Sequence, residues 1–279
     1  MFFYVFKNIS TKVKYLFLFF TYSAIIFYGA FFPSGESVAS VNGDFSSFLF
    51  RAVETRQITG EVYLLSNVRC GIENASKPLN FSARLNPVWK NLRVDAGALE
   101  DVYLIVEPLA FYGPLKNICT HNCLWFEFRQ NHPAAGDDGF KTYGIVASGQ
   151  MLKNLKGEFF LFQFTSKEDY FELAYYTDRN LRLYKLDLSA EQKKRLFYNA
   201  IVTASERAAK ERYHIIYNHC VNNMFELINT VLPSYQRFNP WLVHGIIFNP
   251  VFCAPDFNEL IFNFHGLIKE KLPMFRGSY

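Results

Sequence analysis

The chain has 279 residues, 50% hydrophobic, 18% aromatic and 19% charged, with 29 Lys plus Arg against 25 Asp plus Glu. Such a composition supplies a packed core and excludes a disordered or collagen-like chain, and the lack of an internal period excludes a repeat array. The net charge of +4 is spread along the chain, so nucleic acid is not expected as a partner.

Lys7, Lys12 and Lys14 precede an almost unbroken apolar run from Tyr15 to Phe32, followed by Pro33, Ser34, Gly35 and the small residues Ser37 and Ala39. Basic residues, an apolar stretch and a small-residue pair describe a secretory signal. The run has 18 residues. That is the lower edge of a membrane span and more than the roughly 7 to 15 of a usual signal core. Residues 1–39 therefore read as a signal peptide or an N-terminal membrane anchor. In both cases the lysines stay inside and the remainder is translocated. The working domain is expected to be exported, either periplasmic or anchored in the inner membrane facing outward, with membrane association through residues 15–32. Five cysteines (Cys70, Cys119, Cys123, Cys220 and Cys253) allow at most two internal disulfides with one thiol left over, or five reduced, buried side chains.

Residues 40–100 read as an N-terminal extension in which Asp44 caps a short helix carrying Phe45, Phe48 and Leu49, and Val62–Leu65 forms a strand. Asp101–Val106, Tyr143–Val146 and Phe159–Phe164 are short apolar runs typical of strands covered on both faces. Residues 129–141, with Pro133, Gly136, Asp137, Asp138 and Gly139, have the chemistry of a loop. A further strand is expected over Leu181–Leu188. Ser189-Ala190-Glu191-Gln192 is a capping box for a helix carrying Leu196, Ala200, Ile201, Ala204 and Ala208 on one stripe, with its basic residues on a solvated face. A second helix begins near Cys220, packs Met224, Leu227, Ile228 and Val231, and stops at Pro233. The tail, residues 234–279, wraps the domain before a last helix near Asn258–Leu272. No linker divides the chain. The expectation is one α+β domain with an antiparallel sheet packed against helices and its core over residues 101–233.

Two segments carry potential chemistry. In Thr120–Phe128 the alternation puts Asn122, Leu124, Phe126 and Phe128 on one face and His121, Cys123, Trp125 and Glu127 on the other. A histidine held on a strand is rigidly placed, as a general base must be, although a lone strand histidine is more often structural. In Tyr213–Leu227, Cys220 stands where an extended segment enters an amphipathic helix. The unpaired N–H groups and dipole there favour a thiolate. A cysteine at a helix start with a histidine elsewhere in the fold is the pairing used in thiol acyl transfer. A metal site on Cys119, His121, Cys123 and Cys220 ranks lower, because residues i and i+4 of one strand are about 13 Å apart. The same span argues against a Cys119–Cys123 disulfide. No metal and no cofactor are expected, and His214, His244 and His265 read as ordinary partly buried residues.

Taken together, Thr120-His121 with Leu124-Trp125-Phe126, and then Leu186–Ser189, a helix, an extended segment and Cys220, resemble the Lnb-type N-terminal periplasmic domain family over roughly residues 102–232. That resemblance implies a circularly permuted papain-like (NlpC-like) fold with Cys220 as nucleophile and His121 as base. The position before the cysteine, where the family has Asn, is His219 here, with Asn218 one place earlier, and Cys123 is a thiol the family usually lacks. His219, Asn218, Glu127 and His132 are the candidates for a supporting role. The implied activity is an exported cysteine hydrolase or acyltransferase acting on an amide or ester in a peptide, cell-wall or acyl substrate. The alternative is a catalytically inactive envelope domain that binds a protein partner or a membrane surface.

Overall fold

Runs of β-branched and aromatic residues punctuated by Gly, Asp and Asn become strands wherever the computed structural model describes the chain: residues 51–73, 86–108, 120–154, 157–207, 211–213, 218–239 and 255–277. The leader over residues 1–39 and the helix expected after Asp44 lie outside those residues. In chain order the elements begin with β1 (Glu54–Thr59), β2 (Val62–Glu73), β3 (Asn86–Asp95), β4 (Leu99–Pro108) and β5 (Thr120–Phe128). The middle of the chain supplies β6 (Ala134–Gly136), β7 (Lys141–Thr142), β8 (Gly144–Asn154), β9 (Gly157–Ser166), α1 (Lys167–Tyr176), β10 (Asn180–Leu186) and α2 (Ala190–Arg207). The last elements are β11 (Glu211–Arg212), α3 (Cys220–Asn229), α4 (Pro255–Phe264), β12 (Ile268–Lys271) and β13 (Phe275–Arg276).

Among the described residues, thirteen strands form one sheet, with the path β12-β10-β4-β5-β8-β9-β2-β3-β6-β7, β1 beside β2, β11 beside β9 and β13 beside β10. Every pairing is antiparallel except the parallel bridge between β2 and β9 at Arg69 and Thr165. The result is an α+β fold with a mostly antiparallel sheet and, among the described residues, four α-helices. β5 lies between β4 and β8, well inside the sheet.

Both faces of β5 are covered. On one, Leu124, Phe126 and Phe128 join Leu104, Val106, Phe162 and Phe164, and α2 and α3 close the core with Leu196, Phe197, Ile201, Met224, Phe225 and Ile228. On the other, Cys123 and Trp125 join Tyr103, Ile105, Val146, Leu181 and Leu183 beneath Tyr170 and Ala174 of α1. The row opposite the expected core face is thus a second core. Helix α1 supplies its cover. Ser166 accepts a bond from Asp169 N at 3.2 Å, and Glu168 and Asp169 occupy the first turn where the helix dipole favours negative charge.

Several expectations change. The segment 40–100 is more than an extension, since β1, β2 and β3 are strands of the common sheet. Residues 129–141 contain a turn at Gly139, where φ is +82°, but its flanks pair as β6 with β7, and β6 docks on β3. The last helix is Pro255–Phe264, shorter than expected. The chain reverses at Gly266, with φ +65°, and Ile268–Lys271 pairs with β10 as β12. The basic face of α2 is not wholly solvated either. Lys193 Nζ reaches Asp101 Oδ1 at 3.0 Å and Lys194 Nζ reaches Glu61 at 2.9 Å, which ties the helix to β4 and to the β1–β2 turn.

Phe197 anchors α2. It is fully buried and meets Phe126 and Phe128 edge-on at ring separations of 5.1 and 5.9 Å. Phe197→Ala is expected to cost about 3 to 5 kcal/mol of unfolding free energy, because the sheet cannot collapse into the cavity. Urea denaturation followed by far-UV circular dichroism measures that loss.

Candidate active site

The first residues of β5 are polar and serve both sides of the sheet. On the side of α3 and α4, Asn122 Nδ2 donates to Asn258 Oδ1 at 2.8 Å, and Asn258 Nδ2 donates to Thr120 Oγ1 at 3.4 Å. On the other side stand His121 and Cys123. Pairing between β5 and β8 runs only from Glu127 with Gly144 to Cys123 with Ser148. Beyond Ser148, β8 stays with β9 as far as Asn154, and the start of β5 keeps only β4 as its partner. Helix α3 begins at this parting of the strands.

Its start is built by a reciprocal cap. His219 is extended, with φ −135° and ψ 177°; its Nδ1 accepts from Val221 N at 3.2 Å, while Asn222 Oδ1 accepts from His219 N at 2.8 Å. Asn223 Nδ2 donates to the His219 carbonyl and to Asn218 Oδ1, both at 2.8 Å. With Nδ1 spent as an acceptor, a neutral His219 ring carries its proton on Nε2. Cys220 is the first helical residue, and its Sγ lies 3.9 Å from the Thr120 carbonyl oxygen, a hundred residues away in sequence. Gly149 makes the approach close. A Cβ there would meet Phe160 Cζ at 2.8 Å and Cys220 Cα at 3.1 Å.

His121 is placed from β8. Its Nε2 is 3.3 Å from Ser148 Oγ and 3.3 Å from the Gln150 side-chain amide. Burial pushes the imidazole towards its neutral form, but Cys123 and Cys220 on either side outweigh burial and hold it well above the ordinary 6.5. Burial pushes the Cys220 thiol up. The charge and hydrogen bond of His121, and then the hydrogen bond of His219, overcome that and bring it down to about 5. The two shifts have the same sense, each group favouring the charged form of the other, thiolate beside imidazolium.

Cys123 is the other thiol near His121, but it is completely buried in the second core. Its Sγ is 3.1 Å from Tyr170 Oη, and Tyr170 O–H donates to Glu107 Oε2 at 2.9 Å. Cys70, Cys123 and Cys220 are all free thiols, while Cys119 and Cys253 lie outside the described residues.

The structure brings Cys220, His121 and His219 together and leaves the other candidates elsewhere. Glu127 is six residues along β5 from His121, about 20 Å at strand rise, where it accepts from Tyr103 Oη at 2.9 Å and pairs with Lys167. His132 is exposed in the turn after β5, its N–H on the Arg129 carbonyl. Asn218 bonds Arg207 and Glu211, and so ties the end of α2 to the start of α3. His265 is a structural histidine, with Nδ1 2.8 Å from the Gln236 carbonyl; His214 and His244 lie outside the described residues. Sequence reasoning missed Ser148, Gln150 and Glu107. One signal was available for Glu107, since it follows the apolar run of β4 on the same parity as Tyr103 and Ile105.

A family model described as the Lnb N-terminal periplasmic domain matches residues 87–248. The match covers β3 to α3 and so contains both His121 and Cys220. No curated protein and no solved structure matches the chain.

The tight seat of α3 gives a test. Gly149→Ala is expected to cost about 1 to 3 kcal/mol by overpacking and to slow alkylation of Cys220 by iodoacetamide at pH 6. Site-resolved mass spectrometry reads the rate, and circular dichroism verifies that the variant is folded.

Proposed function

The chain belongs to the Lnb N-terminal periplasmic domain family, and on that premise we propose that it is an exported thiol hydrolase or acyltransferase that cleaves or transfers an amide or ester through Cys220 and His121. The observation that carries this reading is a thiol at the first residue of a helix, seated against β5 beside His121, whose charge and hydrogen bond draw it down. A fold of permuted papain-like kind is part of the proposal, since the histidine strand precedes the cysteine helix along the chain.

The chemistry follows from the pair. The Cys220 thiolate attacks the carbonyl carbon, and the resulting oxyanion lies near the N-terminus of α3, where helix N–H groups favour negative charge. The His121 imidazolium gives its proton to the leaving amine or alcohol as the carbon–heteroatom bond breaks, leaving a thioester. Water or an acceptor amine or alcohol then attacks the thioester, His121 takes the proton of that nucleophile, and the thiolate is expelled. Cys123 is not the attacking thiol in these steps, being completely buried in the second core. The departure at His219 supports the reading, because this residue both caps α3 and helps to hold the thiol down.

One observation favours a second reading. Cys220 is only 8% exposed, as in a domain that kept the fold and binds a protein partner or a membrane surface without turnover.

Alkylation separates the two. In the wild type, Cys220 labelling by iodoacetamide is expected to rise with a midpoint near pH 5, since lowering the pH through that value protonates the thiolate. In His121→Ala the midpoint is expected to move up towards the free-thiol range of about 8.5. A Cys220 that labels only after unfolding would sink the enzymatic reading and leave the binding domain.

A further inference from the structure

The mechanism leaves unused a buried carboxylate beside its own base. Glu107 lies near the end of β4 as the direct register partner of His121 on β5. Cross-strand partners point to the same face with Cβ atoms about 4.5 to 5.5 Å apart. Glu107 is 1% exposed, and both of its oxygens are held: Oε1 accepts from Arg179 Nη1 at 2.7 Å and Oε2 from Tyr170 Oη at 2.9 Å. Arg179 is itself fixed by its Nε, which donates to Thr177 Oγ1 at 2.6 Å. A carboxylate removed from water at such cost needs positive charge around it. Burial pushes Glu107 up, but the charges of Arg179 and His121, with hydrogen bonds from Arg179 and Tyr170, hold it below the usual carboxylate range.

Several groups act on His121: Cys123 on its own strand, Glu107 on β4, Ser148 and Gln150 on β8, and Cys220 at the start of α3. His219 acts through Cys220, while Tyr170 and Arg179 act through Glu107. Among these, Glu107 is the one carboxylate. Ser148 and Gln150 are neutral and orient the ring without fixing its charge.

We infer that Glu107 is a positioning residue for His121: a fixed negative charge, clamped by Arg179 and Tyr170, that keeps the imidazole protonated and so keeps Cys220 as its thiolate partner. The inference rests on the Cys220–His121 reading and deepens it. Both oxygens of Glu107 are committed elsewhere, so the carboxylate acts on the ring through space, in a low-dielectric interior where a charge at this range is strongly felt. The clamp prevents the carboxylate from swinging to bond the imidazole directly, which leaves the ring free to pass its proton to a leaving group.

The test is an NMR titration of the His121 Cε1–Hε1 signal in the full chain, assigned by its loss in His121→Ala, alongside alkylation of Cys220. Wild-type His121 is expected to titrate above 6.5. Glu107→Gln, which keeps the shape and removes the charge, should lower that midpoint by on the order of one pH unit, and Glu107→Asp should recover most of the loss. Because Glu107→Gln strands the Arg179 charge, the double variant Glu107→Gln/Arg179→Gln provides a second measurement without an unpaired cation, and its His121 midpoint should also lie below wild type. Unchanged His121 midpoints in a wild-type background where Cys220 labels rapidly at pH 6 would overturn the role of Glu107 and leave the Cys–His pair standing. A wild-type Cys220 inert at pH 6 would remove the reading on which the inference rests.

Discussion

A strand covered on both faces leaves little water for its polar side chains, and an unmatched buried polar group costs on the order of a few kcal/mol. β5 meets that constraint at its first four residues, Thr120, His121, Asn122 and Cys123, which stand side by side between two cores. Their partners come from several elements: Asn258 of α4 meets both Thr120 and Asn122, Ser148 and Gln150 of β8 meet His121, Tyr170 of α1 meets Cys123, and Cys220 of α3 meets the Thr120 carbonyl. The site is assembled by this demand for partners. The helices are where they are partly because the polar head of one strand has to be answered from both sides.

The parting of β5 from β8 is the second element of the design. Pairing of β5 with β8 ends at Cys123 and Ser148, and the start of α3 lies over the next residue of β8, Gly149. Because β8 follows β9 instead, the first turn of α3 reaches the Thr120 carbonyl, and glycine at position 149 lets the helix start sit directly on the strand. Local backbone choices thus deliver a sulfur from the face of α2 and α3 to a histidine whose strand parity belongs to the face of α1.

Much of this was legible in the residues, and the boundary of legibility has a physical basis. The capping box at Ser189 and the stripe from Leu196 to Ala204 have a period that only a helix satisfies, and α2 runs from Ala190 to Arg207. Cys220 at the start of α3 could be read from the change of pattern at Asn218–Val221, and His121 from the alternation of Thr120–Phe128. Less legible were the elements whose identity depends on distant partners. β3, with Asn86, Pro87 and Lys90 among its residues, is a strand because β2 pairs along it. β12 looks like a helix end until β10 lies beside it. Helix α1 has the weak amphipathicity of an element that covers a small second core. Glu127 and His132 seemed near His121 because they are near in sequence, whereas a strand carries neighbours apart and brings together residues such as His121 and Glu107, which face each other across fourteen positions.

That wide separation also decides when the surroundings of the sulfur are set. His121 and Cys220 are far apart along the chain, and Glu107 and the β8 residues that orient the ring are brought together with them only by the folded sheet. In the extended chain Cys220 is an ordinary thiol, only a few per cent ionised at neutral pH, and no more nucleophilic than any other cysteine. A domain of a periplasmic family that crosses a membrane unfolded would carry Cys220 through as such a thiol. Folding itself would set the environment of the thiol.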